Sequence, residues 1–580
     1  MSAVLTAQEP SAKYLVNLQP PLVRHFDLIA QAPGGVARLR ELILTLAVQG
    51  KLVPQDPSDE PASELLKKIA LEKDRLVAEK KIRKGKSLPD IGDDEIFFEL
   101  PGTWAWVRLN SIGDWGAGAT PSRTNSNYYG GKIPWFKSGE LTSDHITESE
   151  ETVTEAALRE CSLRLNQPGD VLIAMYGATI GKTAILDVVG TTNQAVCACT
   201  PFSGMSNSYL LLLMKALKPY FISQGAGGAQ PNISREKVIH TVIGLPPLAE
   251  QSRIVTRVEE LMKVCDALEA SGQLEAQQQA QLVNTLLGTL TQSETPEALA
   301  DNWQRIATHF DVLLDRPEAV DALEQTILQL AVRGLLVPQD PTDEPASVLL
   351  QKIRIEKDQL IAQGKIKRDK PLPPITDEEK PFELPKGWSF ARISELVEML
   401  NGYAFKSEWF KPSGTRLLRN LNISHGYVDW SQPACIDVNA ANEFSQFNLK
   451  VGDVVLSLDR PIISTGLKYA VIQEADLPCL LLQRVARLTP HPIAMSLDFL
   501  ELWLKSDLFV GTIDPGRSNG VPHISTKQVG ELFVGLPPIT EQSRIVTRAN
   551  ELRSLCVDLR QRLAAGQAVQ SQLAFTLVSG

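Results

Sequence analysis

Two stretches, one late in each half of the chain, carry a helical pattern of apolar positions. After Pro247, residues Ile254, Val258, Leu261, Cys265 and Leu268 recur by alternate steps of four and three. After Pro538 the same steps link Ile545, Ala549, Leu552, Cys556, Leu559 and Leu563. This heptad spacing predicts two long helices, each with a coiled-coil seam. Paired prolines at each helix start suit a first helical turn. Glu250 and Glu541 fall near the positive end of the helix dipole. Shorter helical patterns over 40–46 and 324–330 end at Gly50 and Gly334, positions suited to a C-cap. Residues 62–80 and 346–362 predict exposed helices, with charge over much of their surface. Between the helical stretches the pattern changes to short β-branched runs broken by turn residues, as in TAILDVVGTTNQAVCACT after Lys182.

Comparing the chain with itself explains why these patterns come in pairs. HFDLIAQAPGGVARLRELILTLAVQGKLVPQDPSDEPASELLKKI begins at His25, and HFDVLLDRPEAVDALEQTILQLAVRGLLVPQDPTDEPASVLLQKI begins at His309. The same offset persists, without a gap, through FELPGTW and FELPKGW, which end at Trp104 and Trp388. Identity then fades and returns at GLPPLAEQSRIVTRVEEL, from Gly244, against GLPPITEQSRIVTRANEL, from Gly535. Each half is a constant frame around a divergent insert. The inserts still correspond weakly: GDVLIAM with GDVVLSL, Gln194-Ala-Val with Gln483-Arg-Val, and PNIS with PHIS.

The expected organisation is therefore α+β. Two mixed α/β domains are separated by paired long coiled-coil helices in a pseudo-two-fold internal repeat. The segments are 1–101 (constant, helical), 102–243 (first insert), 244–290 (first spacer helix), 291–385 (linker and second constant segment), 386–534 (second insert) and 535–580 (second spacer helix). If about 30 residues of each spacer are helical, it is on the order of 45 Å long, enough to bridge sites one DNA turn apart.

Composition narrows the function. A chain of 580 residues exceeds one core, and its 43% hydrophobic and 22% charged residues are those of an ordinary soluble protein. No apolar run approaches the roughly 18 to 20 residues a bilayer requires, and the stretch from Tyr209 is broken by Lys215. The opening MSAVLTAQEPSAKYLV has no basic segment leading an apolar one, so a cytoplasmic protein without membrane association is expected. Seven scattered cysteines argue against a disulfide framework. Cys197 and Cys199 alternate on one strand face with no histidine or second pair nearby, so they read as buried thiols. A net charge of −10 is unusual for a nucleic-acid binder, which needs Lys and Arg against phosphates.

YGATIGKTAIL, from Tyr176, ends like a phosphate-binding loop, and this raises the question of ATP. The loop needs glycine where Tyr176 stands and a helix after Thr183, but the residues that follow read as strand, turn and strand.

The paired LPPLAEQSRIV and LPPITEQSRIV after each insert, and ELPGTWAWVRL and ELPKGWSFARI before it, resemble the specificity subunits of type I restriction-modification enzymes. GATPSRTNSNYYGGKIPWFKSGEL, MYGATIGKTAI, TNQAVCA and QPNIS look like a first target-recognition domain, and NGYAFKSEWF with LLRNLNISHG like a second version. The resemblance begins near His25 and leaves out the connection 291–308. It implies a non-catalytic subunit with no cofactor of its own, whose two recognition domains each read half of a bipartite double-stranded DNA target. Two modification (methyltransferase) subunits using S-adenosylmethionine would dock on the helices. Restriction (translocase and nuclease) subunits using ATP and Mg2+ would join them, and DNA-mimicking anti-restriction proteins are further implied partners. An orphan or decoy specificity subunit, or a coiled-coil scaffold whose inserts bind proteins, are the alternatives. Neither an Asn/Asp-Pro-Pro-aromatic methylation motif nor a complete P-loop is present.

Within such inserts, arginine, amide and hydroxyl side chains read bases, while lysine and backbone N–H groups hold phosphates. The candidates in the first insert are Thr120, Ser122, Arg123, Lys137, Thr179, Lys182, Gln194, Gln230 and Asn232. In the second they are Lys406, Arg416, Arg419, Asn420, Arg460, Arg484, Arg517, Asn519 and His523. For each, the plainer reading is a solvated loop residue or a strand-end hydrogen bond. No catalytic or metal-binding residue is assigned.

Overall fold

A computed structural model describes residues 26–83, 88–225, 231–293, 295–364, 375–464, 466–513 and 523–579. The chain divides into two compact units, one of residues 1–274 with 567–580 and one of 275–566.

In the first unit, helices α1 (Gly35–Val48) and α2 (Ala62–Ala78) precede the insert. The chain leaves α1 through Gly50 at φ 70°, and the Lys51 N–H closes back on the Leu46 carbonyl at 2.9 Å. A Cβ at Gly50 would lie 2.5 Å from the Pro101 ring, so glycine is needed there for both conformation and space. The insert then supplies β1 (Ala105–Arg108), β2 (Gly113–Ala117), β3 (Tyr129–Phe136), β4 (His145–Ile146), β5 (Thr152–Val153), β6 (Val171–Ala174), β7 (Thr183–Leu186), β8 (Thr191–Thr192) and β9 (Val196–Pro201). Helix α3 (Asn207–Ala216) and strand β10 (Val242–Leu245) complete it. One sheet runs β2-β9-β6-β7-β4, a second runs β5-β3-β8, and β1 pairs antiparallel with β10.

Alternation along β6 separates two cores. Val171 and Ile173 pack with Cys197, Cys199 and the buried run Tyr209–Met214 of α3, while Leu172 and Ala174 face Phe136, Leu186 and Val196. Both faces are covered, which is why GDVLIAM reads as a continuous apolar run. Cys197 and Cys199 share one buried face as expected, and burial pushes the Cys197 thiol up to about 12. The longest apolar stretch is thus a core helix, and no described helix is long and apolar enough to cross a membrane.

The second unit repeats this plan. Helices α5 (Pro317–Arg333) and α6 (Ala346–Ala362) lead into β11 (Ser389–Arg392), β12 (Val397–Asn401), β13 (Thr415–Leu418), β14 (His425–Gly426) and β15 (Cys435–Ile436). Strands β16 (Val454–Ser457), β17 (Tyr469–Val471), β18 (Cys479–Leu481) and β19 (Val485–Pro490), helix α7 (Leu497–Lys505) and strand β20 (Phe533–Leu536) follow. The sheets run β12-β19-β16-β17-β14 and β15-β13-β18, and β11 pairs with β20. Every strand of the first insert has its counterpart ten numbers on. The register is also kept: Trp106 faces Gly244, and Phe390 faces Gly535. One addition is a small hairpin, Ile462–Ile463 with Gly466–Leu467, between β16 and β17.

The long helices are α4 (Leu248–Thr291) and α8 (Ile539–Ser579), 44 and 41 residues. At 1.5 Å per residue they are about 66 and 62 Å long, longer than the expected spacers. The heptad pattern predicts a coiled-coil seam, but its first positions do another job. Ile254 and Val258 complete the first insert's core, and Ile545 and Ala549 complete the second's. Further along, Cys265 joins Ile29, Leu39 and Ala574, while Cys556 joins Val283, Leu287, Leu323 and Ile327. The connection 291–308 contains a helix, Pro296–Thr308, which the repeat did not predict.

The repeated motifs meet where each long helix begins. Trp104 Nε1 donates to Glu250 Oε2 at 3.0 Å, and Gln55 donates to Oε1 at 2.6 Å. Gln251 donates to the Gly204 carbonyl at 3.2 Å and accepts from the Ser206 N–H at 2.9 Å, tying α4 to the start of α3. Arg253 pairs with Asp59. The second unit matches it with Trp388 on Glu541 at 3.1 Å, Gln339 on Glu541, Gln542 with Ala494 and Ser496, and Arg544 with Asp343. EQSR is thus a lock: its Glu holds the preceding insert boundary, its Gln the start of the insert's core helix and its Arg the constant segment. Both glutamates are buried, and burial raises their carboxyls.

Candidate nucleic-acid interface

In the first unit most sequence candidates gather at the loop end of the five-stranded sheet. Gly118 follows β2, and a Cβ there would sit 2.2 Å from the Thr192 carbonyl oxygen. This close approach, with the Ala119 N–H on the Thr192 carbonyl at 3.1 Å, sets Thr120 against Gln194, and the two side chains hydrogen-bond. Ser122 bonds Thr124 at 2.8 Å. Arg123 stacks 4.6 Å from the Tyr129 ring centre and 5.1 Å from that of buried Trp135. It also forms a two-pronged pair with Glu151, whose other partner is Lys137 at 3.0 Å. Hydrogen bonds from Arg123 and then Lys137 hold the Glu151 carboxyl down at about 2.

A second group lies beside the first, joined through the Met175 N–H on the Ala195 carbonyl at 2.8 Å. Tyr176–Lys182 forms the turn between β6 and β7, and the Ile233 N–H bonds the Met175 carbonyl at 2.9 Å. Thr179, Lys182 and Asn232 therefore share one surface. Thr179 donates to the Tyr176 carbonyl at 2.7 Å. The Lys182 side chain is half-exposed, with no partner among the described residues. The turn passes from a 3-10 element, Gly177–Thr179, into strand β7 instead of a helix, so the P-loop geometry is absent. Gln230 lies outside the described residues.

The second unit keeps the backbone and changes the side chains. Gly402 takes the place of Gly118, with a Cβ again 2.2 Å from a carbonyl oxygen, that of Leu482. Leu458 bonds Arg484 and Ile524 as Met175 bonds Ala195 and Ile233. Asn420, Arg484 and His523 converge on Asp459. Arg460, exposed and at φ 48°, follows it. Lys406 lies 5.8 Å from the Trp409 ring centre and pairs loosely with Glu408. Two candidates are tied to the domain itself. Arg416 donates to the Ala475 and Leu477 carbonyls at 2.9 and 2.8 Å, and Arg419 to Asn422 and the Gln432 carbonyl. Arg517 and Asn519 lie outside the described residues.

Sequence reasoning passed over Glu151 and Asp459, the two carboxylates that organise these clusters. Glu151 belongs to an acidic run and Asp459 precedes Arg460 in a turn, but neither position signals its partners, which are distant in sequence.

Two mixed-sheet domains of one topology, each armed with polar loops at one end and locked to a long helix by a repeated motif, define a duplicated recognition protein. Residues 101–277 match the family model of the type I restriction modification DNA specificity domain. The chain is 47% identical over 557 residues to the EcoAI type I restriction enzyme specificity subunit of Escherichia coli, covering 94% of this chain and 93% of that one. It is 33% identical to the EcoEI specificity subunit of the same organism, with the same coverage. The crystal structure of an HsdS subunit from Thermoanaerobacter tengcongensis aligns with 83% of this chain and 97% of its own, at 18% identity and TM-score 0.35. The chain belongs to the family of type I restriction enzyme specificity subunits.

Proposed function

We propose that this chain is the DNA-reading subunit of a type I restriction-modification complex. Segments 102–243 and 386–534 each read one half of a bipartite target. The helices of 244–290 and 535–580 set the gap between the halves. With the constant segments 1–101 and 291–385, they dock two modification subunits that methylate adenine from S-adenosylmethionine. Restriction subunits driven by ATP and Mg2+ complete the assembly, and this subunit supplies no catalytic residue.

The observation that carries this reading is the combination of one backbone plan with two different loop chemistries. A split, asymmetric target calls for two readers of the same shape with different side chains. In the first reader Arg123, Gln194, Thr120, Ser122 and Asn232 are the base-facing candidates, with Lys137, Lys182 and Thr179 beside them for phosphates. In the second the candidates are Arg484, His523, Asn420, Arg460 and Lys406. Arg416 and Arg419, which donate to backbone carbonyls of their own domain, belong to the loop scaffold. The net charge of −10 fits a protein whose DNA contacts are confined to two loop ends while partner proteins cover much of the rest.

The test is an adenine-methylation map of the source genome by long-read sequencing, with the gene intact and deleted. Loss of one split motif on deletion is expected, and exchange of 102–243 for another such segment should change one half of that motif. Identical maps with and without the gene would overturn the proposal in favour of an orphan subunit or a protein-binding scaffold.

A further inference from the structure

The second unit contains a carboxylate that the function above does not use. Asp459 follows β16 and is only 7% exposed, yet three candidate DNA-facing side chains gather around it. Arg484 Nη1 donates to Oδ2 at 2.7 Å, Asn420 Nδ2 reaches the same oxygen at 3.3 Å, and His523 Nδ1 lies 2.8 Å from Oδ1. They come from three separate segments: the turn after β13, the turn before β19 and the stretch leading into helix Thr526–Glu531. Backbone bonds fix the meeting point. The Leu458 N–H bonds the Arg484 carbonyl at 2.8 Å, the Ile524 N–H bonds the Leu458 carbonyl at 3.0 Å, and Ser457 Oγ bonds the Asp459 carbonyl at 2.8 Å.

The anchored groups nevertheless face outward. The Arg484 side chain is 64% exposed and that of His523 48%, against 10% for Asp459. A carboxylate open to phosphates would repel them, but this one is enclosed by its own partners. Arg484 also takes φ 71°, a left-handed conformation costly for a non-glycine residue and maintained where the surroundings over-determine it. With Nη1 engaged, Nη2 and Nε have no partner among the described residues, and two parallel guanidinium donors suit the O6 and N7 edge of guanine. Fixing a long side chain in advance removes the entropy cost of ordering it on DNA. The first unit lacks this pair at the matching place, where Tyr176 stands at the Asp459 position and Ala195 at the Arg484 position.

We propose that Asp459 is a positioning residue for base readout in the second half-site, orienting Arg484 before DNA arrives. This rests on the DNA-reading function proposed above. The experiment complements a deletion strain with wild type, Asp459→Asn, Arg484→Gln or the double variant, then maps adenine methylation and measures the thermal stability of each purified chain. Asp459→Asn should leave the first half of the motif intact and lower the preference at one or more second-half positions by about tenfold, within the range of a good base contact. The double variant should match Arg484→Gln alone, because Asp459 acts through that guanidinium. Wild-type preference in Asp459→Asn overturns the proposal. So does a double variant in which the two losses multiply, or a complete loss of methylation, which would assign Asp459 to folding. If wild type and deletion strain give the same map, the DNA-reading function itself fails, before any variant is considered.

Discussion

The first turns of α4 and α8 repeat one another's bonds, whereas the loop ends of the two inserts share a backbone and little else. At the helix starts, Trp104 and Trp388 reach their glutamates at 3.0 and 3.1 Å, and Gln251 and Gln542 accept from Ser206 and Ser496 at 2.9 and 2.8 Å. At the loop ends, matching backbone bridges carry Tyr176 or Asp459, Ala195 or Arg484, and Asn232 or His523. The difference teaches how a duplicated domain can vary its loop chemistry without varying the frame that holds it. Geometry resides in buried, repeated contacts, and chemistry in exposed side chains that make few demands on the fold.

The helix starts offer the largest effect. Trp104 and Trp388 are each 7% exposed, and Trp→Ala at such a site costs about 3–5 kcal/mol. Trp104→Ala and Trp388→Ala should lower stability to a similar extent in denaturant titrations. A cost below about 1 kcal/mol for either one, in the range of surface substitutions, would show that the two locks are not equivalent. Gly244→Ala and Gly535→Ala sharpen this further. Their added methyls would come 2.6 Å from Leu100 and 2.8 Å from Leu384, and overpacking of this kind costs about 1–3 kcal/mol.

At the loop ends the prediction is asymmetric. Arg123→Ala should lose about 1–3 kcal/mol of discrimination in one half-site, and Arg484→Ala the same in the other half. The check is binding of the assembled complex to duplexes varied in one half at a time. Uniform weakening on all sequences would make the arginine a phosphate contact, and an effect in both halves would break the assignment of one reader to each half.

The buried glutamates give a pH signature common to the two helix starts. Burial raises Glu250 and Glu541, so the folded chain holds these protons more tightly than the unfolded chain does. Their contribution is full below the unfolded carboxylate value and is lost as pH rises through the raised folded value. The stability of wild type relative to Glu250→Gln, and to Glu541→Gln, should therefore fall over the interval that begins as pH rises above the unfolded carboxylate value of about 4. A relative stability that rises over that interval at either site would mean that the hydrogen bonds from Trp and Gln outweigh burial there.

The repeat made the frame legible in the sequence, because residues such as Trp104, Gln251 and Gly50 are constrained by burial or backbone conformation and recur unchanged. The strands were legible from short β-branched runs broken by turn residues, but the division of labour along the long helices was not. A heptad pattern records which face is apolar, not what covers it, so Ile254 and Cys265 look alike although they join different cores. The loop clusters were legible only as residue types. Arg123 and Glu151, or Asn420, Asp459 and His523, meet through strand pairing across long sequence separations, and no local pattern encodes such a meeting.

The smallest effect tests the comparison at one backbone position. Lys182 and Lys468 both accept, through their carbonyls, from the residue that ends the preceding strand, Ala174 at 2.8 Å and Ser457 at 3.0 Å. The side chains part company: Lys182 is half-exposed, whereas Lys468 is 7% exposed and desolvation lowers its pKa. An exposed lysine on a DNA-facing turn releases a counterion on binding, while a buried one cannot reach a phosphate. Lys182→Ala should make the log-log salt dependence of DNA binding shallower by about one, and Lys468→Ala should leave the slope as it was. Equal slopes for wild type and Lys182→Ala would remove this turn from the interface. A shallower slope for Lys468→Ala would mean that the turn carrying Arg460 opens on DNA and that the two readers, unlike at rest, present the same lysine when bound.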